Sequence, residues 1–143
     1  MNIEKENNKI TFIVTGHCME KYPDNTSYLE YTLKSFEKIK NFNNSKVIIA
    51  LDGNSDKDLE EKYEIYKNKI KKFIIDKKNY ELVCQDRHLN LVKNIYETLK
   101  LVKTKYIFLI QQDLPFIEEF DLESILEDML EATSQLCYHL TLK

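Results

Sequence analysis

The stretch KVIIALDGNSD, residues 46–56, decides how this chain is read. Val47, Ile48, Ile49, Ala50 and Leu51 form an unbroken apolar run, three of them β-branched, which predicts a strand over 46–51 buried on both faces. It stops at Asp52-Gly53. Ser55 and Asp58 then resemble a cap pair, so a helix is expected from about Ser55, with Leu59, Tyr63, Tyr66, Ile70 and Phe73 as its apolar stripe.

The same strand-then-helix unit recurs along the chain. Strands are expected at 10–15 (ITFIVT), 80–84 (YELVC) and 106–110 (YIFLI). A helix over 27–40 opens with Ser27 and Glu30 in capping-box spacing and turns Leu29, Leu33, Phe36 and Ile39 inward. Another runs from Asn90 to about Val102, burying Leu91, Ile95, Leu99 and Val102. The last, over 121–131, turns Leu122, Ile125, Leu126, Met129 and Leu130 inward. Short strands alternating with helices require right-handed crossovers, and hence a parallel sheet covered on both faces. The expectation is a single α/β domain over residues 1–143, a Rossmann-like parallel sheet layered by helices.

Composition narrows the function classes. At 143 residues, 43% hydrophobic and 31% charged, the chain reads as globular. The net charge of −3 and a single arginine, Arg87, argue against nucleic acid as a partner. Two glycines, Gly16 and Gly53, are too few for a GxGxxG or Walker A phosphate loop. Cys18, Cys84 and Cys137 are odd in number and far apart, favouring a reducing compartment over a disulfide framework. The polar opening MNIEKENNKI is no secretory signal, and the apolar runs are too short to span a bilayer, so a cytoplasmic location is expected.

In an open parallel sheet the ligand lies beyond the carboxyl ends of the strands. Those ends read Thr15-Gly16-His17, Asp52-Gly53-Asn54, Gln85-Asp86-Arg87-His88 and Gln111-Gln112-Asp113, so three of four carry a carboxylate. Helix N-termini gather at the same edge. Acids and helix dipoles together suit a nucleoside diphosphate bridged by a divalent cation.

Here the chain resembles the N-terminal, nucleotide-sugar-binding part of family-2-type glycosyltransferases of the GT-A fold. The matching pieces, in order, are FIVT with Tyr28-Leu29, then LDGNSD at 51–56, Lys93-Asn94 in NLVKNIYETL, and Gln111-Gln112-Asp113 where that family writes Asp-x-Asp. The resemblance implies transfer of a sugar from a nucleotide-diphosphate sugar to a hydroxyl of a glycan, lipid or protein acceptor. It implies a donor-binding set of Thr15, Asp52, Asn54, Lys93 and Gln111, with Asp113 holding Mn2+ or Mg2+ against the diphosphate. Thr15 and Asp52 would border the base and ribose. Gln111 departs from the pattern, since an amide brings no charge where the family has its first acid. The family's acceptor half and catalytic base fall after the metal motif, so they are expected outside this chain, for instance on a partner chain completing the site; the catalytic residue is left unknown. The rival expectation is a non-catalytic α/β module binding a nucleotide or a protein.

Other features read more plainly. His17-Cys18 suggests a hydrogen-bonded histidine beside a buried thiol. Asp86, Arg87 and His88 read as a rim cluster, Tyr63–Tyr66 as packing, and Lys69, Lys71, Lys72, Lys77 and Lys78 as a solvated face.

Overall fold

The computed structural model describes residues 9–141, with side chains through Ser134. The opening segment up to Asn8 and Cys137 lie outside the described residues and side chains. In chain order the elements are β1 (Ile10–Gly16), α1 (Ser27–Lys34), β2 (Ile39–Lys40), β3 (Lys46–Leu51), α2 (Glu60–Phe73), β4 (Tyr80–Cys84), α3 (Asn90–Leu99), β5 (Tyr106–Gln111), β6 (Phe120–Asp121) and α4 (Leu122–Thr141). Four strands make one parallel sheet in the order β4-β3-β1-β5, while β2 and β6 pair separately. The fold is therefore α/β, with helices flanking a parallel sheet, as the alternation predicts.

The core sits on one sheet face. Phe12 and Val14 of β1, Val47, Ile49 and Leu51 of β3, and Ile110 of β5 pack against Leu29, Leu33 and Phe36 and against Tyr63, Tyr66 and Ile70 of α2. Phe12 stacks on Phe108 at 5.4 Å and meets Phe36 tilted at the same distance, so aromatic rings fill the wide end of this layer.

Burial pushes the Tyr80 phenol up to about 12 and also raises those of Tyr63 and Tyr66. A folded value above the unfolded one of about 10 stabilises the fold below that pH, and the contribution is lost as pH climbs through the folded value. The urea midpoint should accordingly hold to about pH 9.5 and fall above about pH 10. A midpoint unchanged at pH 12 would refute this account of the buried phenols.

Three departures from expectation have physical causes. The first helix stops at Lys34, gives one 3-10 turn over Ser35–Lys38, and passes into β2, where Ile39 pairs with Phe120. Ser35 fixes that break, because its hydroxyl donates to Thr32 O (2.6 Å) and accepts from Phe116 N (2.9 Å). Asn41, with φ 58°, then turns the chain away in the left-handed region that asparagine tolerates.

The caps also move by one residue. Thr26, not Ser27, stands at the α1 start and donates to Glu30 Oε1 at 2.6 Å, while Asp56, not Ser55, accepts from Asp58 N at 2.9 Å ahead of α2.

The third departure matters most. α3 ends at Leu99, and it buries Asn94 and Thr98 rather than its apolar stripe. Asn94 Nδ2 donates to Ala50 O (3.0 Å), Asn94 Oδ1 accepts from Gln85 Nε2 (3.0 Å), and Thr98 donates to Asn94 O (2.8 Å). Leu91 and Leu99 are left 46% and 39% exposed. α3 packs on β1 and β3, so Ile107 and Leu109 of β5, which share its face through their pairing with Thr11 and Ile13, stay uncovered. In α4, Leu122 is buried and Ile125 and Leu126 half-buried, but Met129 and Leu130 are exposed. Among the described residues no helix is long and apolar enough to cross a membrane.

Candidate functional site

The strand order puts β1 between β3 and β5, and the chain's crossovers diverge to either side of β1. Such a switch point opens a crevice at the carboxyl ends of the strands. A cavity of about 280 Å3 lies there, lined by Thr15, Gly16 and His17 after β1, Asp52 after β3, His88, Asn90, Leu91 and Asn94 around the start of α3, and Gln111, Gln112 and Asp113 at the tip of β5. Among the described residues no lysine or arginine lines it.

Four of the expected residues meet in this crevice, namely Thr15, Asp52, Gln111 and Asp113. Two do not. Asn54 turns away and builds a local loop, accepting from Asp56 N (3.1 Å) and donating to Asp56 O (2.5 Å). Lys93 sits exposed on α3, outside the cavity lining, while its neighbour Asn94 points in.

Asp52 has a structural task in the crevice wall. Its Oδ1 accepts from Gly53 N (2.9 Å) and Leu89 N (2.7 Å), and its Oδ2 accepts from Asn90 N (3.0 Å) and lies 2.8 Å from His88 Nδ1. A carboxylate offers about four lone-pair positions, and four donors fill them. Asp52 thus caps α3 from a neighbouring strand, satisfying N–H groups that would otherwise be orphaned. Asn90, at the start of α3, has φ 69°, in the left-handed region that asparagine tolerates. The positive end of α3 is therefore already offset by a carboxylate of the protein itself.

Gln112 is buried. Its Oε1 accepts from His17 N and from Tyr66 Oη, both at 3.2 Å, and its carbonyl accepts from Thr32 Oγ1 at 2.7 Å. The tip of β5 is in this way tied to β1, α1 and α2. Tyr63 donates its hydroxyl to the Asp52 carbonyl, so the tyrosine pair of α2 packs as expected and also props both sides of the crevice from below. Thr15, buried, donates to Ile110 O at 3.3 Å.

Asp113 is different. It is exposed, sits in the turn closed by Leu114 N to Gln111 O (3.1 Å), and its carboxylate accepts no hydrogen bond from the described residues. Gln111 beside it is exposed as well. Among the described residues no three His, Cys, Asp or Glu side chains gather as a metal site. Burial pushes the Cys18 and Cys84 thiols up, so neither is an activated nucleophile.

Sequence reasoning placed His88 and Gln112 at strand ends and Asn94 beside Lys93 without assigning any of them to the site. The signal for Asn94 was Thr98 four residues on, two uncharged polar groups in step on one side of the helix. A larger groove of about 620 Å3, lined by Phe36, Phe73, Tyr80 and Lys77 among others, lies at the other end of the strands, away from these residues.

The fold and crevice define an α/β protein with a parallel sheet open at its switch point. No model of a known protein family matches the chain, and no curated protein matches it either.

Proposed function

We propose that the crevice binds a nucleotide-diphosphate sugar, and that the chain is the donor-binding part of a GT-A-type glycosyltransferase. The observation that carries this reading is Asp113, a carboxylate at the tip of β5 that has no partner, in a crevice that has no lysine or arginine, among the described residues. A diphosphate entering such a site needs its charge offset by something it brings along. Mg2+ is commonly held by one or two carboxylates together with substrate phosphates, so a lone Asp113 fits a cation that arrives with the nucleotide rather than one bound beforehand. Asp113, with the Gln111 amide beside it, would hold Mn2+ or Mg2+; when bound, the cation offsets the charge of the departing diphosphate. The remaining wall orients the ligand, through the Thr15–Gly16 backbone, His17, and the α3 start that Asp52 holds in place.

A non-catalytic binding module is the second reading, favoured by the uncovered apolar residues Ile107 and Leu109 of β5 and Leu99 at the end of α3. Turnover of the sugar nucleotide, even slow hydrolysis, separates the two.

Thermal-shift titration with UDP and GDP tests the donor reading. Stabilisation should require Mn2+ or Mg2+, reach about 2.7 kcal/mol at a hundredfold excess over Kd, and vanish in Asp113→Ala. Equal stabilisation without metal, or in the variant, would overturn the assignment of Asp113.

A further inference from the structure

The Asp52–His88 pair adds a specificity-determining residue to this crevice; the inference rests on the donor-binding reading above. β3 and β5 flank β1, so their tips stand two strand spacings apart, about 10 Å. With the diphosphate at Asp113 on β5, the nucleoside reaches toward the β3 tip and the start of α3. There it meets Asp52, His88, Asn90 and Leu91. Asp52 has no acceptor position left for a ligand, since Gly53 N, Leu89 N, Asn90 N and His88 Nδ1 occupy its oxygens. Asn94 is likewise engaged at both ends of its amide.

His88 remains. Its Nδ1 lies 2.8 Å from an oxygen that can only accept, so Nδ1 carries the proton. In the neutral ring the other nitrogen, Nε2, is then a bare acceptor. The side chain is 47% exposed and lines the cavity beside Leu91, whose exposed apolar surface suits the face of a base. Asn90 offers both a donor and an acceptor and so does not discriminate.

We infer that His88 Nε2 accepts a hydrogen bond from the nucleobase edge, and that the site thereby selects bases with a ring N–H, uracil and guanine, over cytosine and adenine, which present a lone pair there. A lone pair facing Nε2 repels it, and both acceptors are left without a donor.

Calorimetric titration of the full chain with UDP, CDP, GDP and ADP in the presence of Mn2+ tests this within pairs of equal ring size. UDP should bind about tenfold or more tightly than CDP, and GDP than ADP by a similar factor. In His88→Gln, whose amide rotates to offer either group, both ratios should collapse toward unity; in His88→Ala they should do the same, with unfolding temperatures recorded for each variant. Ratios near unity in the unsubstituted protein, or ratios that survive in either folded variant, would sink the role of His88 while leaving the donor crevice standing. Failure of all four diphosphates to bind would overturn the donor reading and this inference with it.

Discussion

Gly53→Ala should be severely damaging, lowering stability by at least about 3 kcal/mol. A Cβ at this position would overlap the Arg87 carbonyl carbon and oxygen and stand 2.7 Å from its Cα. The obstacle is backbone, so no rotamer change relieves it. Gly53 is needed for closeness, not for an unusual φ, since none of the positive-φ residues is a glycine. Its small size lets the loop after β4 come down onto the loop after β3, which is what brings His88 to Asp52. The measurement is a urea unfolding curve, where the midpoint should drop at an unchanged slope. At Gly16 the added atom would meet Gln112 Oε1 at 2.8 Å, a side-chain atom with some freedom to yield, and the loss should be smaller. Equal midpoints for the two variants would contradict the distinction between backbone and side-chain neighbours.

Asp52→Ala should also be costly, at about 3 kcal/mol. The substitution strands the N–H groups of Gly53, Leu89 and Asn90 and frees His88. Water replaces part of the loss, because Asn90 is exposed and Leu89 half-buried. Asp52→Asn should fall between, since its NH2 turns a donor toward other donors. Asp56, which accepts from Asp58 N on the exposed surface, is the internal comparison, and Asp56→Ala should remove only about 1 kcal/mol. If both aspartates proved equally dispensable, Asp52 would be a surface residue in effect and its capping of α3 unimportant.

The four strands of the main sheet were legible from residue type alone, while the two-residue strands β2 and β6 were not. The expected 46–51 and 80–84 coincide with β3 and β4, and β1 and β5 each extend one residue further. Runs such as KVIIAL carry enough β-branched, fully apolar character that no other element accommodates them. α1 was less legible because its end is set by Phe116 and Phe120, some eighty positions away in sequence. α3 misled for a similar reason. Its apolar stripe suggests the buried face, yet the Ala50 carbonyl and Gln85 draw Asn94 inward instead. Periodicity reports which face is apolar; it does not report which face a sheet's polar groups require.

The site divides along the same line. Strand-end position brought Thr15, Asp52, Gln111 and Asp113 to one crevice, because a parallel sheet gathers its carboxyl ends whatever the sequence between them. It put Asn54 at the same edge but could not tell where Asn54 or Lys93 points, since their directions depend on local turns and helix phase. Nor did it distinguish a carboxylate filled by four donors from one left open. That difference between Asp52 and Asp113 exists only in three dimensions.

One consequence of the Asp52 arrangement concerns how such a protein changes over generations. A single carboxylate both holds the start of α3 and fixes the proton position on His88, so substitutions there are screened for foldability before ligand preference is ever tested. His88, half-exposed and bound by one contact, is under no such filter. On the proposed donor-binding reading, drift in what the crevice accepts has an open route through the histidine, while the aspartate beneath it stays put.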